Sequence, residues 1–94
     1  MDTIAALLAD GITLIAVSRL PGMPSERTMR TWALDPQHPF SPKYPRGREL
    51  GYHKMADQLV EIADDTGIDA NDKRIRVDTR KWLLSKALPK IYGR

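Results

Sequence analysis

Ser25, Arg27, Thr28, Arg30 and Thr31 crowd hydroxyl and guanidinium groups into one short stretch. Hydroxyls and a helix N-terminus bond phosphate oxygens, and a guanidinium can bond the two acceptors of a guanine edge together. Solvated surface arginines would look the same. A second basic group, Lys43, Arg46 and Arg48 with Tyr44 among them, could grip phosphates beside the first or belong to a plain surface loop. No comparable set supports catalysis, and no catalytic residue is assigned. His38 and His53 stand alone without cysteine or an HExxH-like spacing, so no metal site is expected. Asp64, Asp65, Asp69 and Asp72 lack the glycine and terminal glutamate of a calcium loop. A phosphate-binding lysine loop is missing too, and no cofactor is expected.

The elements that must carry these groups read as helices, and the fold class expected is all-α. Asp2 or Thr3 can cap a first helix with Ile4, Leu7 and Leu8 on one side, stopped by Gly11. Thr13 starts a second, with Leu14, Ile15 and Val17 apolar, which Pro21-Gly22 ends. Ser25 is a good N-cap for a third helix, in which Met29, Trp32 and Ala33 form the inward stripe. Glu26, Arg27, Arg30 and Thr31 are left on its other faces. Ser18, Gly22, Val17 and Met23 fit a helix-turn-helix, and equally a plain helical corner.

Pro36, Pro39, Pro42 and Pro45 predict an extended connector over 35–47. A fourth helix follows from about Arg48 to Asp65, with Tyr52, Met55, Ala56, Leu59, Ile62 and Ala63 on one face and Asp57, Glu61 and Asp64 opposite. Thr66-Gly67 ends it. Asn71 or Asp72 caps a fifth helix running to Leu88, where Pro89 stops it. Val77, Leu84, Ala87 and Leu88 fall on one side of that helix, Ile75 and Trp82 nearly opposite, so it must be covered twice. Asp78 is expected to pair with Arg74 or Lys81, and Trp82 to pack rather than stack on a ligand.

Ninety-four residues make one small domain with a modest core, for which assembly is a natural source of stability. The absence of cysteine excludes disulfides and suits a cytoplasmic location, and no segment reads as a signal peptide or membrane span. The net charge of +3 hides segregation: 1–34 is neutral, 35–54 carries +2, 55–72 carries −6 and 73–94 carries +7. Neighbouring helices that complement each other would explain this, as would a basic tail that meets phosphates.

Two runs, in this order and at this separation, carry a resemblance. They are Arg19-Leu20-Pro21-Gly22-Met23-Pro24-Ser25-Glu26-Arg27-Thr28 with Trp32, and Arg76-Val77-Asp78-Thr79-Arg80-Lys81-Trp82 with Tyr92-Gly93. The chain resembles the small terminase subunit of tailed phages, in the compact type of short-tailed enteric phages, from about Ile4 to Gly93. The resemblance implies a helix-turn-helix at 1–34, a proline-rich connector at 35–47 and an oligomerising helical hairpin at 48–94. It implies recognition of double-stranded viral DNA, for which the residue types above make Ser25, Arg27, Thr28, Arg30, Thr31, Lys43, Arg46 and Arg48 the candidates; base-level specificity does not carry over from the family. It further implies homo-oligomers, ring-like or small, a large terminase subunit as partner, and action in the host bacterial cytoplasm. The apolar sides of the hairpin make Leu59, Ile62, Ile75, Trp82, Leu84 and Leu88 the expected contact between copies, and no membrane contact is expected. Two departures stand out. The family places an arginine immediately before the Trp, where this chain has Thr31, and family members run past Tyr-Gly into a segment linked to ring closure, so a mixture of small oligomers is expected. A small transcriptional regulator, or an inhibitor or adaptor that contacts a host protein, are the rival readings.

Overall fold

Side-chain caps start three of the helices. Thr13 Oγ1 accepts from the Ala16 amide at 3.1 Å, Ser25 Oγ from the Thr28 amide at 3.1 Å, and Asp69 Oδ2 from the amides of Asn71 and Asp72 at 3.1 and 3.2 Å. Each satisfies a donor that a helix start leaves orphaned. The computed structural model describes residues 2–93. The helices are α1 (Asp2–Ala9), α2 (Leu14–Ser18), α3 (Glu26–Leu34), α4 (Phe40–Asp64), α5 (Ala70–Ala87) and α6 (Pro89–Tyr92), with no strand among the described residues. The all-α class read from the sequence holds.

The chain divides into two compact units, Met1–Gly51 and Tyr52–Arg94, and α4 contributes its first turns to one and its remainder to the other. In the first unit Ile4 and Leu8 of α1, Leu14 and Val17 of α2, Met29 of α3 and Phe40 of α4 form the buried core, with Trp32, Ala33 and Tyr44 packed against it. Gly22 takes a φ of +78° that lets the chain turn between α2 and α3. The second helix ends earlier than Pro21-Gly22: its last turn closes at Ser18, whose hydroxyl donates to the Ile15 carbonyl at 2.6 Å.

The extended connector expected over 35–47 is instead a tight turn followed by helix. Asp35 Oδ1 accepts from the Gln37 amide at 3.0 Å, and His38 Nδ1 accepts from the Phe40 amide at 3.1 Å. Ser41 Oγ then donates to the Ala33 carbonyl at 3.0 Å, tying the start of α4 to the end of α3. Pro42 lies in the first turn of α4, where a missing N–H costs nothing. Pro45 alone lies inside the helix, and burial of Phe40 and close packing of α1 on Gly47 and Gly51 outweigh it. A Cβ at 47 would come 3.1 Å from the Ala5 carbonyl oxygen, and one at 51 would collide with that of Leu8. At 51 only glycine admits this approach, whereas at 47 α1 would have to give by a few tenths of an ångström.

In the second unit Asp69 caps α5, rather than Asn71 or Asp72, because its carboxylate precedes the first free amides and takes both as donors. Lys73 Nζ donates to the Ala63 carbonyl at 3.1 Å across the α4–α5 turn. Pro89 does not merely stop α5 but opens α6, and Tyr92 Oη lies 2.8 Å from His53 Nδ1 of α4. Leu84 is 2% exposed, whereas Trp82 on the other face of α5 is 63% exposed.

Candidate nucleic-acid interface

The core stripe of α3 decides what that helix shows to solvent. Met29 is fully buried, with Trp32 and Ala33 against the core, so Arg27, Arg30 and Thr31 lie outward. Trp32 is fixed in turn by a parallel stack on His38, ring centroids 4.8 Å apart, and by an edge contact with Phe40. Ser25 both caps the helix and donates its hydroxyl to Thr28 Oγ1 at 2.9 Å, and Thr31 Oγ1 donates back to the Arg27 carbonyl. The hydroxyls of Ser25 and Thr28 therefore sit, already ordered, at the N-terminal end of α3, and that of Thr31 one turn further along.

The two arginines differ. Arg30 Nε donates to Glu26 Oε1 at 2.9 Å, and it shares a cleft with Ala33, Leu34 and Tyr44. The Glu26 hydrogen bond, and then its charge, hold the Arg30 guanidinium above its already high range, with the Tyr44 hydroxyl adding to the effect. Arg27 has no side-chain partner among the described residues.

The second basic group splits from the first. Lys43 is paired with Asp2, and with Arg46 it borders a groove against Ala5, Ala6 and Ala9 of α1. Arg46 is also 3.8 Å from Glu49, and Arg48 on the same helix is half-buried. The structure thus brings Arg30 beside Tyr44 of α4, and places Lys43 and Arg46 along α1. Glu26 was not among the expected site residues, and Tyr44 was expected with the second basic group rather than beside Arg30. An acid four residues before an arginine was the available signal for Glu26, whereas Tyr44 depends on the turn at 35–39 that sequence reading missed.

The second unit holds the other set. An open groove of about 920 Å³ is lined by Leu59, Trp82, Leu84 and Tyr92, with Lys81, Lys86 and Lys90 among its walls and no acidic residue. Leu84 lies at its floor, buried within its own chain; Leu59, Ile62 and Leu88 are half-buried, and Ile75 is 55% exposed. On α4, Val60 is 63% exposed between the outward Asp57, Glu61 and Asp64. Among the described residues no ion pair joins these carboxylates to the cations of α5; Arg76 pairs with Asp72 within α5 itself. Asp78 pairs with neither Arg74 nor Lys81, and Arg74 donates to Asn71 instead. The described residues contain no group of three or more His, Asp or Glu able to hold a metal, and no helix long and apolar enough to cross a membrane.

The family described as bacteriophage Sf6, terminase small subunit-like, matches residues 1–94. Solved structures of the terminase small subunit gp1 of the bacterial virus Sf6, each carrying a single substitution, are similar throughout. Two are 37% identical, with TM-scores of 0.82 and 0.84, and a third is 36% identical, with a TM-score of 0.84. In each case 99% of this chain and 73% of the other is covered. No curated protein sequence matches.

Proposed function

The chain belongs to the family of terminase small subunits like that of bacteriophage Sf6, and from that premise we propose how its two units divide the work of genome packaging. Its role is that of a small terminase subunit in DNA packaging. The first unit reads the duplex through a helix-turn-helix, with α3 entering the major groove by its N-terminal half. The observation that carries this is the division of α3: Met29 is wholly inside while Arg27, Arg30 and Thr31 lie outward behind an ordered Ser25–Thr28 cap. Ser25 and Thr28 meet phosphate, Arg27 and Arg30 reach base edges, and Lys43, Arg46 and Arg48 extend the phosphate grip along α4. It works without catalysis of its own, in the host bacterial cytoplasm, and delivers DNA to a large subunit that supplies motor and nuclease.

The second unit assembles copies head to tail. The acidic face of α4 and the lysine-walled groove beside Trp82 are different, complementary surfaces left unpaired within the chain. Contacts between unlike surfaces propagate into rings or open chains. Leu59, Ile62, Ile75, Trp82 and Leu88 form the apolar part of this contact, supported from below by Leu84.

A salt series of duplex binding tests the first assignment. Affinity should fall steeply with salt as arginines displace condensed counterions, and replacing Arg27 and Arg30 together with Ala should remove site preference without unfolding. Binding untouched by that change would remove α3 from the interface. A chain that stays strictly monomeric at high concentration would favour the regulator or inhibitor reading over the packaging one.

A further inference from the structure

Arg30 can offer its Nε–H to a phosphate only by leaving Glu26, and while the pair holds, the Glu26 carboxylate offsets the charge that its remaining N–H groups would bring to a phosphate. Glu26 occupies the first turn of α3, at the end of the helix that a phosphate would approach, and its Oε1 accepts from Arg30 Nε at 2.9 Å. Tyr44, positioned by its ring contact with Phe40 at 5.7 Å, lines the same cleft as Arg30 from α4. Departure of Arg30 would bare a carboxylate before the incoming phosphate, so either arrangement opposes a pure backbone contact.

We propose that Glu26 is a specificity-determining residue of the DNA interface, withholding Arg30 from the phosphate backbone and leaving Arg27 as the unpaired cation that α3 offers to any duplex. The proposal rests on the recognition-helix reading of α3. Phosphate contacts raise affinity for every sequence alike, so a carboxylate that discourages one such contact lowers non-specific binding more than specific binding. Arg30 is then released where a base edge offers a directional acceptor pair that compensates for the lost Glu26 contact.

The test uses the full chain with Glu26→Gln, which keeps the shape and an acceptor oxygen but removes the charge. The probe is a short mixed-sequence duplex, titrated from about 50 to about 200 mM salt. One added phosphate contact steepens the slope of log affinity against log salt by about 0.9, so the variant should bind more tightly at low salt and lose about threefold of that advantage across the range. In an Arg30→Ala background, Glu26→Gln should leave the slope unchanged. Equal steepening with and without Arg30 would mean direct repulsion by Glu26 and would overturn the proposal. So would the same steepening from Asp10→Asn, an exposed acid at the end of α1. Arg27→Ala separates the levels: if it leaves binding intact, the recognition-helix reading falls, and if it weakens binding while Glu26→Gln does nothing to the slope, only the role of Glu26 falls.

Discussion

Lys43 of α4 reaches Asp2 on α1, and its ammonium, by hydrogen bond first and charge second, holds the Asp2 carboxyl below the usual carboxylate range. A carboxyl lowered by folding adds its stability above the unfolded value of about 4 and loses it as pH falls through the lowered one. Both groups stand in solvent, so the effect on stability is small. Titration of Asp2 followed by NMR should therefore show a midpoint below that of a free aspartate, returning to normal in Lys43→Ala; equal midpoints would deny the contact. Phe40 is a weightier residue. It is wholly buried, and Phe40→Ala should cost about 3–5 kcal/mol in urea unfolding, a large share of the stability of so small a domain. Neither contact was legible in the sequence. Asp2 and Lys43 are far apart along the chain, and Phe40 stands between Pro39 and Pro42, where composition argues for an open loop. Its burial is decided by α1, α2 and α3 closing over it. The short-range features were legible: the hydroxyl of Ser25 caps its own helix, and Met29 with Trp32 marks the inner face at a spacing readable in any helix.

At the scale of elements, α4 shows how position overrides composition. Proline density predicts a break, yet Pro42 falls where helices have no amide bond to lose, and only Pro45 costs one. Pro45→Ala should then stabilise the chain, by up to about 3 kcal/mol, without altering its helical content; a loss of stability would show that the helix depends on its proline. Gly51→Ala should act oppositely. The new methyl meets the Leu8 carbonyl, so α1 must shift, at a cost of about 1–3 kcal/mol as for other overpacked sites. An unchanged melting temperature would rule out that close approach. The sequence signalled Gly51 only as a weak spot in a helix, since what makes glycine necessary there lies on another helix altogether. Asp69 was missed for a different reason: three capping side chains, Asp69, Asn71 and Asp72, stand close together, and local pattern does not rank them.

For the molecule as a whole, the amphipathic pattern of α5 foretold two apolar sides, and the chain covers only one. Leu84 is inside and Trp82 outside. Trp82→Ala should leave the monomer's unfolding free energy within about 0.5 kcal/mol of the parent, as for an exposed site, while weakening self-association in sedimentation runs at rising concentration. A strictly monomeric parent at hundreds of micromolar would defeat the assembly surface itself. Because α4 and α5 carry opposite charge without pairing across the hairpin, association should also weaken as salt is raised. Charge segregation was visible in the sequence, but whether the two helices neutralise each other depends on which faces meet, and that only the fold decides.

The placement of the two tryptophans gives each unit its own optical probe. Trp32, partly buried and stacked on an imidazole, should emit to the blue and weakly, and should respond to loss of the turn at 35–39. Trp82, open to water, should emit to the red in the lone chain and move to the blue when another surface covers it. Variants that keep one tryptophan each would let the folding of the first unit and the association of the second be followed as separate signals in the same solution.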